Sequence, residues 1–130
     1  MERAELVRRL GRAFASREGV SAAYLFGSRA RGTERPTSDV DVGVLFAQPR
    51  ARGLVGLPTE LEAALGEALS LPVQVIDLER ASPDLVHRVL RDGILVSEAD
   101  PSARVRFEVK RRNEYFDVLP HLERYRRAQA

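Results

Sequence analysis

Two aspartates spaced by one residue, Asp39 and Asp41, open the run Val40-Asp41-Val42-Gly43-Val44-Leu45-Phe46. Apolar β-branched residues alternating with acids predict a strand, and in a strand residues i and i+2 point to the same side. The two carboxylates then stand together while Val40 and Val42 turn into a core. Left alone, such carboxylates repel, and one of them resists ionisation. A cation removes that conflict. Two oxygen ligands on a rigid strand suit a hard ion that keeps several waters and shares phosphate oxygens, which describes Mg²⁺. A calcium-binding EF-hand loop is excluded, because the valines and the missing downstream Gly and Glu break its pattern.

The complementary half is Gly27-Ser28, which ends the apolar run Val20 to Phe26 and opens a polar turn. Glycine lets a phosphate approach the backbone closely, and the amides and hydroxyl that follow can donate hydrogen bonds to phosphate oxygens. Arg29 and Arg31 bring positive charge, and the sequence leaves open which of the two faces inward. Gly32 supplies the turn that returns the chain to Ser38-Asp39-Val40-Asp41. A Gly-Ser pair alone carries almost no information, nor does a lone Asp-x-Asp. Gly-Ser at a strand end followed at this distance by Asp-x-Asp at a strand start is a constrained combination, and it predicts a site for a metal and a triphosphate.

The elements that must position these residues follow from periodicity. Leu6, Val7, Leu10 and Phe14 recur at helical spacing and predict a helix over 2–17, ended by Gly19. Residues 20–26 read as a buried strand, 28–38 as a short turn or helix followed by a loop, and 39–46 as a second strand. A loop over 48–53 leads to a helix over 58–69 with Leu61, Leu65 and Leu69 on one face, then to a third strand over 72–78. Ser82-Pro83-Asp84 combines a capping serine, a first-turn proline and an early acid, so a helix starts there and runs to Gly93. Ile94-Leu95-Val96 adds a short strand. From about residue 101 the chain reads as a long helix with Val105, Val109, Arg112 and Phe116 on one face. Pro120 is expected to end or kink it, leaving a polar, loose tail. The order α-β-β-α-β-α-β-α predicts the α/β (α+β) class: a small mixed sheet with flanking helices and a C-terminal helix.

Composition narrows the rest. The 130 residues suit one domain of soluble globular type, with 44% hydrophobic and 31% charged residues. Cysteine is absent, which excludes disulfides and thiolate metal sites, and two histidines make zinc a poor fit. The N-terminus is charged and no stretch is apolar enough to span a membrane, so the expected compartment is the cytoplasm. Net charge is +2. The arginine-rich stretch from Arg104 to Arg127 reads as a solvated helix face in preference to a direct nucleic-acid surface.

The stretch Leu25-Phe26-Gly27-Ser28-Arg29-Ala30-Arg31-Gly32 with Ser38-Asp39-Val40-Asp41-Val42 resembles the signature of the DNA polymerase β-like nucleotidyltransferase superfamily. Its spacing and the small chain resemble the minimal nucleotidyltransferases, in particular the MntA-type antitoxins of HEPN/MNT toxin–antitoxin pairs. The segments 77–82, 91–95 and Tyr115-Phe116-Asp117 are also similar to that subgroup. The resemblance implies a single nucleotidyltransferase domain over 1–130, with the helical extension from about residue 101 facing a partner. It implies Mg²⁺ on Asp39 and Asp41, a nucleotide seated by Gly27, Ser28 and Arg29, and AMP transferred from ATP to a tyrosine of a HEPN ribonuclease toxin. A third acid is expected on the neighbouring strand. There the hydrophobic run of Val73-Gln74-Val75-Ile76-Asp77 offers Gln74 at the aligned position. Asp77 is the other choice, as a metal ligand, although an odd spacing turns it to the opposite face of a regular strand. Glutamine accepts a hydrogen bond but is no base. The competing expectation is therefore a weakly active or inactive module of the same fold that silences a toxin by contact. An antibiotic-modifying nucleotidyltransferase would use the same site, but the chain is short for the extra substrate domain that requires.

Overall fold

The computed structural model describes residues 1–48 and 57–129. In chain order it contains α1 (Arg3–Ala15), β1 (Val20–Phe26), α2 (Ser28–Arg31), β2 (Val40–Phe46), α3 (Leu57–Leu69), β3 (Val73–Asp77), α4 (Pro83–Asp92), β4 (Ile94–Glu98) and α5 (Pro101–Gln129). Most of the loop expected over 48–53 lies outside the described residues.

The strands form one mixed sheet in the order β3-β2-β1-β4. β1 pairs antiparallel with β2 and with β4, whereas β2 and β3 run parallel. Strand alternation sends side chains to two separate cores. Val40, Val42 and Val44 of β2, with Ala23 and Leu25 of β1, meet Leu6, Leu10 and Phe14 of α1 and Leu61, Leu65 and Leu69 of α3. On the other face Ala22, Tyr24 and Leu45 meet Leu78, Val86 and Val89 and Phe107 of α5. Each fully buried Val or Leu contributes about 1.5–3 kcal/mol of apolar transfer, so the two faces together fix the strand register.

α4 starts as its sequence dictates: Ser82 Oγ accepts from the Leu85 amide at 3.2 Å, with Pro83 in the first turn. α5 departs from expectation twice. Pro120 does not end it: the helix continues to Gln129, and Arg126 Nη2 donates to Asp84 Oδ1 at 2.9 Å, tying the last turns to α4 in place of a loose tail. Proline removes one helical hydrogen bond, and here the carbonyl it leaves free belongs to the exposed residue Phe116, where water can replace the donor. The second departure concerns which face packs. Phe107, Arg111 and Tyr115 are buried, while Val105, Val109 and Phe116 are exposed. Arg111 explains the choice. Its Nη1 donates to the Leu78 and Glu79 carbonyls at 2.9 and 3.3 Å, and its Nη2 donates to the Ala81 carbonyl. Those carbonyls belong to the tight turn after β3, and one guanidinium satisfies all three. Tyr115 stacks on His87 of α4 with ring centroids 3.8 Å apart. Tyr24 Oη donates to Glu108 Oε1 at 2.7 Å, linking β1 to α5.

Candidate nucleotide and metal site

β1 ends at Phe26, whose register partner on β2 is Asp41. The chain then turns through Gly27, with φ 75° and ψ −159°. This region is open essentially only to glycine. A second constraint acts at the same position. A Cβ on Gly27 would stand 2.2 Å from Asp41 Oδ2. The Asp41 carboxylate therefore rests against the backbone of the Gly-Ser turn, and the turn and the acid form one unit.

Ser28 begins α2, a single turn in which the Gly27 carbonyl accepts from the Ala30 and Arg31 amides at 3.1 and 3.2 Å. The amides of Ser28 and Arg29 precede those bonds, as the first amides of any helical turn do. Gly32 closes the turn at φ 78°, left-handed.

The two arginines of the motif have different environments. Arg29 is 3% exposed and points into the loop, where its Nε donates to the Ser38 carbonyl at 3.0 Å and its Nη2 to the Pro36 carbonyl at 3.3 Å. It holds the segment that delivers Asp39. That geometry runs against the expectation of Arg29 as a nucleotide-facing group, because the side chain is buried and its Nε and Nη2 are directed at backbone carbonyls. Arg31 is exposed and lies within electrostatic reach of Asp41 and of Asp92 at the end of α4. Arg29 and Arg31 face different ways because α2 is one turn long and residues two apart on a helix do not share a face.

Asp39 is exposed and sits one residue before β2, and Asp41 is the second residue of that strand. Their charges interact. The Asp41 carboxyl is pushed above its ordinary value, first by burial and then by the charge of Asp39, with Arg31 opposing. Metal-free, the pair is thus in electrostatic conflict, and a bound cation would relieve it.

On the neighbouring strand Gln74 is the register partner of Asp41. Paired residues of adjacent parallel strands share a face and lie about 4.8 Å apart across the ladder. Asp77 pairs with Val44, three residues further along, roughly 10 Å from the level of Asp41 at ~3.3 Å per residue and of opposite parity. Its Oδ1 accepts from the Glu79 amide at 3.0 Å, and Arg80 stands 3.9 Å from its Oδ2. Asp77 is accordingly a turn residue at the far end of the sheet, not brought to Asp39 and Asp41. Among the described residues no cluster holds three or more His, Cys, Asp or Glu side chains placed for a metal. The donor set is two carboxylates with an amide beside them. That set fits a hard cation completed by water and phosphate oxygens, and does not fit an all-protein cage.

A cavity of about 660 Å³ lies at the opposite end of the sheet, with Ser21, Leu45, Asp77, Arg106 and Lys110 in its wall. It shares no residue with the Gly27–Asp41 unit. No helix among the described residues is long and apolar enough to cross a membrane.

Comparison with known proteins agrees with this geometry. Residues 9–102 match the family described as Polymerase beta, Nucleotidyltransferase. A Methanocaldococcus jannaschii protein named as a candidate protein adenylyltransferase is 35% identical over 79 residues, covering 60% of this chain and 81% of that protein. The protein adenylyltransferase MntA of Shewanella oneidensis is 38% identical over 73 residues, covering 54% of this chain and 48% of the relative, so the match spans about half of that protein. A crystal structure of a toxin–antitoxin with AMP-PNP contains a chain of the same fold, with a TM-score of 0.71 at 28% identity, covering 94% of this chain and 93% of that one. The matched segment contains the whole Gly27–Asp41 unit and all four strands, and the chain belongs to the polymerase β-type nucleotidyltransferase family.

Proposed function

We propose that this nucleotidyltransferase is a Mg²⁺-dependent protein adenylyltransferase acting as an antitoxin, which moves AMP from ATP to a tyrosine hydroxyl of a HEPN-type ribonuclease toxin. The observation that carries the reading is the Asp41 carboxylate seated against Gly27, because it joins an acid pair to a turn built for phosphate. Two protein adenylyltransferases among the relatives and a toxin–antitoxin structure with AMP-PNP support the reaction and the partner class.

In this reading Asp39 and Asp41 hold Mg²⁺. The bound ion supplies charge neutralisation at the α-phosphate and at the leaving pyrophosphate. Gly27 lets the triphosphate lie against the backbone, and Ser28 donates its hydroxyl and amide to phosphate oxygens. Arg31, exposed beside Asp41, contributes a guanidinium to the same phosphates. Arg29 holds the loop so that Asp39 stays in place. Positioning and electrostatics then account for most of the rate, as in phosphoryl transfer generally. The chain acts as one domain over 1–130 in the cytoplasm, with α5 turned toward the partner.

The test is intact-mass analysis of the partner toxin after co-expression. Wild type is expected to leave adenylyl mass on the toxin and to relieve toxicity. Asp39→Ala or Asp41→Ala is expected to remove both effects. A second reading, an inactive module that silences the toxin by contact, is favoured by Gln74 beside Asp41 and by the exposed Val105, Val109 and Phe116 on α5. Neutralisation that survives both aspartate substitutions, with no added mass, would establish that second reading instead.

A further inference from the structure

We propose that Gln74 keeps the loaded site unreactive toward water, so that the nucleotide is cleaved only when an acceptor brings its own means of losing a proton. The inference rests on the reading of Gly27–Asp41 as a Mg²⁺–ATP site.

Gln74 lies level with Asp41 on the adjacent strand and is exposed on the face where a nucleophile would approach. Its amide donates and accepts hydrogen bonds, so it can hold a hydroxyl, but it takes no proton at any working pH. Asp39 and Asp41 would hold the cation. Two titratable side chains near the site are engaged elsewhere. Asp92 accepts from Arg91 Nε and Nη2 at 3.0 and 2.9 Å. His87 lies stacked on Tyr115. Glu34, in the loop before Asp39, has a carboxylate oxygen shut away from solvent without a hydrogen-bond partner among the described residues.

Hydrolysis would form a bond from the water oxygen to the α-phosphorus and break the bond to the bridging oxygen. Pyrophosphate would leave with that electron pair, and the water proton would pass to solvent. Bulk water has a pKa of about 15.7, so a water that is not itself bound to the cation stays neutral without a placed base and attacks poorly. A more acidic hydroxyl, or one carried beside a basic group of its own molecule, escapes the restriction. The amide at this position thus makes cleavage conditional on the acceptor.

Pyrophosphate release from Mg²⁺ and ATP alone decides the matter. Wild type is expected to release it no faster than an Asp41→Ala control. Gln74→Asp or Gln74→Glu, which restore a base at an exposed position, are expected to release it faster by about 10²-fold or more, the usual contribution of a placed base. Thermal shift with Mg²⁺–ATP shows which variants load the site. Acidic variants that load and stay silent overturn the inference, as does wild-type release well above the Asp41→Ala control. That wild-type arm decides even where an acidic variant fails to fold. If Mg²⁺–ATP leaves wild-type melting unchanged, the site reading itself falls. If it binds and wild type hydrolyses it, only the role of Gln74 falls.

Discussion

Asp41 shows how a residue of the candidate site can work against the fold that carries it. Burial and the neighbouring Asp39 charge raise its carboxyl above the ordinary range. The folded chain therefore holds this proton at pH values where the unfolded chain has released it, and metal-free stability falls as pH rises through that window. Replacing the carboxylate by an amide removes the effect. Metal-free Asp41→Asn is expected to melt a few degrees above wild type near neutral pH, with the gap closing below the carboxylate range. Added Mg²⁺ is expected to raise the melting temperature of wild type only. Melting curves across pH, with and without Mg²⁺, check both statements. That Asp39 and Asp41 stand close together was legible from spacing, and Gln74 was one of two positions the hydrophobic run of β3 offered beside them. The division of labour between Arg29 and Arg31 was not, because it depends on how one short helical turn is rotated against the loop 32–39.

At the level of elements, α5 is the instructive case. Its periodicity marks Val105, Val109, Arg112 and Phe116 as one face, and that face is largely left to solvent. The helix instead presents Phe107, Arg111 and Tyr115 inward. A buried arginine is tolerable because three carbonyls of the 78–81 turn need donors that backbone geometry there does not supply. Arg111→Met keeps much of the apolar stem and removes the donors. It is expected to destabilise the chain by about 1–3 kcal/mol, the cost of leaving buried acceptors unpaired, measured by urea unfolding. A loss well below that range would show that water replaces the guanidinium. Sequence alone missed this arrangement because the requirement comes from a turn some 30 residues away in the chain.

Over the whole molecule, the two helical layers have different consequences for experiment. α1 and α3 form one core and α4 and α5 the other. Removing everything after Arg104 would expose the second core by deleting Phe107, Arg111 and Tyr115, so such a truncation would report on folding before it reported on a partner. Point changes on the outer face avoid this. Val109 and Phe116 are 51% and 65% exposed. Val109→Asp with Phe116→Asp is expected to change stability by less than about 0.5 kcal/mol each. On the reading that α5 faces the toxin, the same pair is expected to weaken toxin binding at least tenfold in calorimetric titration. Unchanged affinity would place the partner elsewhere on the surface.

The sequence by itself determined which residues could serve a metal and a triphosphate and the mixed sheet with its helices, and it left the third position open between Gln74 and Asp77. These follow from local rules: parity along a strand, the backbone freedom of glycine, and the period of apolar residues. Only the tertiary structure decided that Gly27 must lack a side chain because Asp41 fills its space, that Asp77 sits at the wrong end of β3, and that Arg29 serves the loop while Arg31 stays exposed. Each of those depends on strand register or on contacts between distant segments, and neither is written into any short window of the chain.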